Sequence, residues 1–222
     1  MWRAGSAARV PEAGRPGALR LGFDLKPGMR VGLYGGSFNP PHTGHLHVAE
    51  TALVRLGLDR VIWLVSPQNP LKADQPADLP QRMAQTRALA RSPSMIVSDV
   101  ERRFGVAHTV NVIRILKARF PGVRFVWLMG ADNLASFHRW RGWTDIMRLV
   151  PVAVVTRPGF ILKGATSVAA RRFSTARRSA EQARGLADLS PPAWVFLTAP
   201  LNFSASTNLR SHPPPATGEK TP

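Results

Sequence analysis

The segment Gly35-Gly36-Ser37-Phe38-Asn39-Pro40-Pro41-His42-Thr43-Gly44-His45-Leu46 packs a glycine pair, a proline pair and two imidazoles into one short stretch. It follows the apolar run Val31-Gly32-Leu33-Tyr34 and opens a stretch with helical periodicity, which makes it a strand-to-helix corner. At such a corner a phosphate chain can approach bare backbone and meet a helix N-terminus, where unpaired N–H groups and the dipole favour anions. Imidazoles at His42 and His45 add donors for the same phosphates. The chemistry this spacing suits is the handling of a nucleotide.

The elements that would position this corner can be read from the hydrophobic pattern. Short runs at 29–34, 61–65, 95–98, 124–129, 152–156 and 194–198 are rich in Val, Ile, Trp and Phe. They lack strict polar alternation, as expected of strands buried on both faces of a parallel sheet. Helical stretches lie between them. Leu46, Ala49, Leu53 and Leu56 mark one apolar face, with Gly57 as a C-terminal stop. Thr109 stands where it can N-cap a second helix, whose Val110, Ile113, Lys117 stem and Phe120 share a side. Alternation of this kind predicts right-handed crossovers and a Rossmann-like, doubly wound α/β sheet with helices on both faces, in a single domain. Ligands of such sheets sit beyond the carboxyl ends of the strands. The pattern divides the chain into a flexible basic tail over 1–28, one α/β domain over 29–212 and a flexible tail over 213–222.

Composition narrows the classes. No apolar run nears the roughly 18 residues of a membrane span. The chain has no cysteine, which excludes disulfides, thiolate catalysis and thiolate-ligated zinc. A net charge of +17 permits a basic nucleic-acid-binding module. The charge is spread, however, along the first thirty residues and over 157–184, as expected of a solvated surface on a protein whose substrates are anions. The expectation is a cytoplasmic protein with no membrane or specific nucleic-acid partner, and with homo-oligomerisation left open.

Three further loops follow predicted strands. Ser66-Pro67-Gln68-Asn69-Pro70-Leu71-Lys72 comes after the second. Gly130-Ala131-Asp132-Asn133-Leu134, followed by Phe137, Trp140 and Trp143, comes after the fourth. Ser204-Ala205-Ser206-Thr207-Asn208-Leu209-Arg210 comes after the last. Hydroxyls before a short helix serve equally as N-caps and as phosphate donors, and Arg210 could turn a planar cation toward the same anion.

These motifs resemble those of a known superfamily. Residues 36–45 are similar to the G-x-F-x-P-x-H-x-G-H signature of nucleotidyltransferases, and Ser206-Thr207-Asn208-Leu209-Arg210 to the second signature, I-S-S/A-T-x-I-R. Gly130 to Trp140, the Pro67 to Lys72 loop and Arg157-Pro158-Gly159 resemble the bacterial nicotinate-nucleotide adenylyltransferases. The resemblance implies that ATP and nicotinate mononucleotide, with magnesium, give deamido-NAD and pyrophosphate. It implies that His42, His45 and Arg210 are catalytic, and that Gly35, Gly36, Ser37, Phe38, Ser206 and Thr207 join them around ATP. It places Thr109, Asp132, Trp140 and Lys72 near the mononucleotide, with no metal-ligating residue in the protein. Thr109 could equally serve only as a helix cap, Asp132 has a cap as its alternative to the favoured substrate role, and Trp143, His47 and His138 read as structural. Ala205 replaces the usual serine, so either Ser204 or Ser206 could meet phosphate. Leu71 stands where the family often has histidine. Nicotinamide mononucleotide and pantetheine phosphate are the alternative substrates among enzymes with the same H-x-G-H motif.

Overall fold

The computed structural model describes residues 21–67, 78–156 and 164–198. Seven strands form one sheet in the order β3-β2-β1-β4-β5-β7-β6, and every pairing is parallel. The strands are β1 (Arg30–Gly36), β2 (Arg60–Val65), β3 (Met95–Ser98), β4 (Arg124–Gly130), β5 (Val152–Val155), β6 (Arg177–Arg178) and β7 (Trp194–Leu197). The six apolar runs in the sequence are six of these strands. The seventh, β6, consists of two exposed arginines on the sheet edge and carries no apolar signal. No helix among the described residues is long and apolar enough to cross a membrane.

Alternation along each strand divides the core in two. Val31 and Leu33 of β1, Phe125, Trp127 and Met129 of β4, and Trp194 and Phe196 of β7 belong to one cluster. Tyr34, Val126, Leu128, Val195 and Leu197 belong to the other. The two clusters are the two faces of the sheet, since successive side chains point to opposite sides. The first face is covered by α4 (Thr109–Arg119) through Val110, Val112, Ile113 and Leu116, and by α6 (Trp143–Leu149) through Ile146 and Met147. The short α7 (Val168–Arg172) adds Ala169 and Ala170. The second face is covered by α1 (Thr43–Leu56), α2 (Leu79–Leu89) and the 3-10 segment Ala180–Asp188. Each fully buried Val, Leu or Ile contributes about 1.5–3 kcal/mol, so neither face can be stripped without loss of the fold.

Helix ends follow local rules. Gly57 ends α1 in the left-handed conformation (φ 60°), as its position predicts, and its N–H bonds the Leu53 and Val54 carbonyls. The inward face of α1 is Val48, Ala49, Ala52 and Leu56, with Leu46 and Leu53 at its margin. Thr109 is not the N-cap of α4. His108 holds the extended cap conformation (φ −127°), and Thr109 is the first helical residue. Ahead of β1, Leu21 and Leu25 are buried in the first cluster.

β1 feeds α1, which leads to β2, whereas β4 lies on the other side of β1. The strand order therefore reverses at β1 and β4, and the crevice beyond their carboxyl ends is the ligand position for sheets of this type. β1 runs on through Gly35 and Gly36, which pair with Leu64 and Val65 of β2. A Cβ on Gly35 would stand 2.5 Å from the Trp127 ring. We expect Gly35→Ala to cost about 1–3 kcal/mol in urea unfolding, as overpacking does; a cost below about 0.5 kcal/mol would mean that the Trp127 ring has room to move.

Candidate active site

The corner after β1 is built around a reciprocal cap. His42 is the N-cap of α1, extended at φ −149°, and its Nδ1 accepts the Gly44 N–H at 3.1 Å. His45 lies three residues on, and its Nδ1 accepts the His42 N–H at 3.2 Å. This is the capping box of helix N-termini with imidazoles in both places. A backbone N–H can only donate, so each Nδ1 must be unprotonated. In the neutral ring the proton therefore lies on Nε2. His42 is 5% exposed, His45 is half-buried, and their ring centroids are 3.8 Å apart. The corner thus fixes two adjacent imidazoles with Nε2 as their donor, at the N-terminus of a 14-residue helix whose dipole favours anions.

An aromatic nest supports the pair. The Phe38 ring lies edge-on to His45 at 5.0 Å and to Tyr34 at 5.4 Å, and Trp63 packs against both Phe38 and Tyr34. Phe38 itself has φ 45°, a left-handed conformation that costs a non-glycine residue about 1–3 kcal/mol and persists only where neighbours over-determine it. Its buried ring supplies one such restraint. The glycine pair serves both faces: Gly36 lies against the Phe38 ring, while Gly35 lies against Trp127 on the opposite side.

On that opposite side stand the residues expected to meet the second substrate. Trp140 is half-buried and lies edge-on to Trp127 and Phe137, at 6.2 and 5.3 Å. Trp143 packs edge-on against Phe137 and Phe173, with the Arg172 guanidinium over its ring, in agreement with a packing role. Gly142 sits directly against Val110, and Arg141 lies 3.5 Å from His108. The Trp140 loop is thereby brought to the start of α4, where Thr109 sits. Asp132 does not cap α5 (Ala131–Ser136); Gly130 does, and Asp132 lies in the first helical turn with its Oδ1 buried. Lys72, Ser204, Ser206, Thr207 and Arg210, and the Arg157-Pro158-Gly159 segment, lie outside the described residues. Among the described residues no group of three or more His, Asp or Glu side chains could hold a metal ion.

Two buried groups beside the corner carry no sequence signal. The Arg82 side chain of α2 reaches the backbone of the β1 and β2 loops, although the residue is only 1% exposed. Glu101, on α3 (Val100–Phe104), is 5% exposed; burial pushes its carboxyl up from the ordinary range, against a hydrogen bond with Ser66. Neither could be found from pattern alone, because a charged residue on a helix ordinarily marks the solvent side.

Strand order and corner together define a nucleotide-binding α/β domain of the doubly wound, parallel type. The comparisons agree. The cytidylyltransferase-like family model matches residues 33–211. A Caulobacter protein named "Probable nicotinate-nucleotide adenylyltransferase" is 63% identical over 82% of this chain and 97% of its own length. A Parvibaculum lavamentivorans protein of the same name is 50% identical over 84% of this chain and 93% of its own. Among solved structures, Plasmodium falciparum nicotinic acid mononucleotide adenylyltransferase complexed with NaAD superposes with a TM-score of 0.62, covering 82% of this chain and 83% of that one. At 15% identity that likeness shows the fold. This chain belongs to the cytidylyltransferase-like family.

Glu101 yields a pH test. Its folded pKa is raised, so the stability it contributes is full below the ordinary glutamate pKa and is lost as pH rises through the folded value. Glu101→Gln keeps an acceptor for Ser66 and removes that loss. The variant should melt higher than wild type at pH 8, by about 2 °C or more, and the gap should close on acidification to pH 4. A wild type more stable at pH 8 would show that the ionised carboxylate is needed there.

Proposed function

We propose that this protein transfers AMP from ATP to nicotinate mononucleotide, forming deamido-NAD and releasing pyrophosphate. The observation that carries the reading is the reciprocal cap, which fixes Nε2 as the donor on two adjacent imidazoles at a helix N-terminus. Relatives at 63% and 50% identity that are named for this activity support the choice of reaction over a pantetheine phosphate substrate.

The chemistry asks for alignment and charge stabilisation rather than covalent participation by the protein. A phosphate oxygen of the mononucleotide attacks the α-phosphorus of ATP. The new P–O bond forms as the bond from the α-phosphorus to the α,β-bridging oxygen breaks, and that electron pair leaves with pyrophosphate. The nucleophile is already an anion, so no general base is required. In this reading the β1 corner, residues 35–38 with His42 and His45, takes the ATP phosphates, and the two Nε2 donors meet charge that grows on the leaving group. Ser206, Thr207 and Arg210 would complete the hold on the β and γ phosphates, as the motif resemblance implies. The opposite face, through Thr109, Asp132 and Trp140, would take the mononucleotide, with Lys72 added only as the motif resemblance implies, so that the two substrates meet across β1 and β4. Magnesium enters on the ATP phosphates as part of the substrate, a role that needs at most one or two protein carboxylates. The proposed place of this reaction is the cytoplasm.

The test is pyrophosphate release from ATP and magnesium with nicotinate or nicotinamide mononucleotide. Release with nicotinate mononucleotide is expected, and silence with both would sink the proposal. His45→Ala and His45→Gln separate cap from chemistry. Both should lower turnover by roughly 10²-fold, as loss of a charge-stabilising donor does. Only His45→Gln should regain the Tm of wild type, because glutamine at this place closes a capping box. Near-normal turnover in His45→Gln would reduce His45 to a cap.

A further inference from the structure

Arg82 is a buried cation with an unusual set of partners. Its Nη1 donates to the carbonyls of Ser37 and Ser66, each at 2.7 Å, and its Nη2 donates to the Pro67 carbonyl at 3.0 Å. Burial lowers its pKa, with Asp78 acting in the opposite sense, yet an arginine remains charged in proteins. The three carbonyls belong to two different loops, those following β1 and β2. The Ser66 N–H still bonds Gly36 O at 3.0 Å, and just beyond that bond the guanidinium ties the two loops together. Arg82 is itself held by α2, where Thr86 Oγ1 donates to its carbonyl at 2.7 Å.

The Ser37 contact has a directional consequence. The Ser37–Phe38 peptide is trans, so its N–H points opposite to its C=O. With the C=O turned onto Arg82, the Phe38 N–H faces the other way. Phe38 also holds the left-handed φ of 45°, which needs restraint from outside. Its ring is restrained by the aromatic nest, and its preceding peptide by Arg82 alone among the described side-chain contacts.

We propose that Arg82 is a positioning residue for ATP: by clamping the β1 and β2 loops together it orients the Ser37–Phe38 peptide and sets the backbone surface on which the triphosphate rests. This rests on the assignment of ATP to the β1 corner made under Proposed function. Trp140 packs on the other face of the sheet from Phe38, so the effect should fall chiefly on ATP.

Steady-state kinetics of Arg82→Met and Arg82→Lys, with each substrate varied in turn, test the clamp. Arg82→Met should raise the KM for ATP by about 10-fold or more, as a small misplacement of binding groups does, and leave the KM for nicotinate mononucleotide within about two-fold. Arg82→Lys keeps the charge and a donor and should fall between Arg82→Met and wild type. Should Arg82→Met fail to fold, Arg82→Lys is read by the same criterion. Equal rises in both KM values, or a lowered Tm with both KM values unchanged, would overturn the proposal in favour of a purely structural role. His45→Ala in the same assay separates the two claims. If it impairs turnover while the Arg82 variants use ATP as wild type does, the clamp fails and the corner stands. If neither alters ATP use, the assignment of ATP to the corner fails as well.

Discussion

Everything at the candidate site depends on how the first turn of α1 satisfies its backbone. Two of its orphan N–H positions are met by imidazole nitrogens rather than by the usual hydroxyl or carboxylate. A side-chain cap is ordinarily worth about 1 kcal/mol, but here its value lies in what it does to the rings. Each Nδ1 is committed to the backbone, so donor capacity is confined to Nε2, and the rings cannot turn without opening the helix. An aspartate at residue 42 would close the same turn and bring no donor to an anion. The cap thereby converts a local folding rule into a pair of oriented donors.

The sheet then gives this pair a counterpart. Period-2 alternation sends Gly35 and Gly36 to opposite faces, one against Trp127 and the other against Phe38. The histidine corner and its aromatic nest lie on one face, and the Trp140 loop with the start of α4 lies on the other. Two substrates approaching from the two faces meet only where the strand order reverses, beyond the ends of β1 and β4. A Cβ at residue 35 would press on the Trp127 ring, and one at residue 36 on the Phe38 ring. The glycine pair therefore lets an aromatic ring close on β1 from each face, beyond its use in the turn.

Much of this was legible in the sequence, and the exceptions have physical causes. Six strands, the Gly57 stop and the histidine corner follow from local pattern, because a buried parallel strand must be apolar and a helix must end. β6 escaped because two exposed arginines on an edge need no apolar character. α2 escaped because its inward side chains include Arg82, whose burial is explained only by carbonyls far away in sequence. Thr109 was misplaced by one residue, since threonine is a good cap by type while His108 takes the cap conformation by context. For Asp132 the alternative of a mere cap falls away, with Gly130 as the cap. The burial of Leu21 and Leu25 carries no pattern either, because they are isolated apolar residues in a glycine- and arginine-rich segment and only the fold shows what they cover.

The most direct measurement is long-range proton–nitrogen NMR of the two rings at mildly alkaline pH, with and without ATP. Both His42 and His45 should be neutral with the proton on Nε2 and a bare Nδ1, and ATP should shift the Nε2 resonances of both. A proton on Nδ1 of either ring, or Nε2 signals indifferent to ATP, would contradict the account.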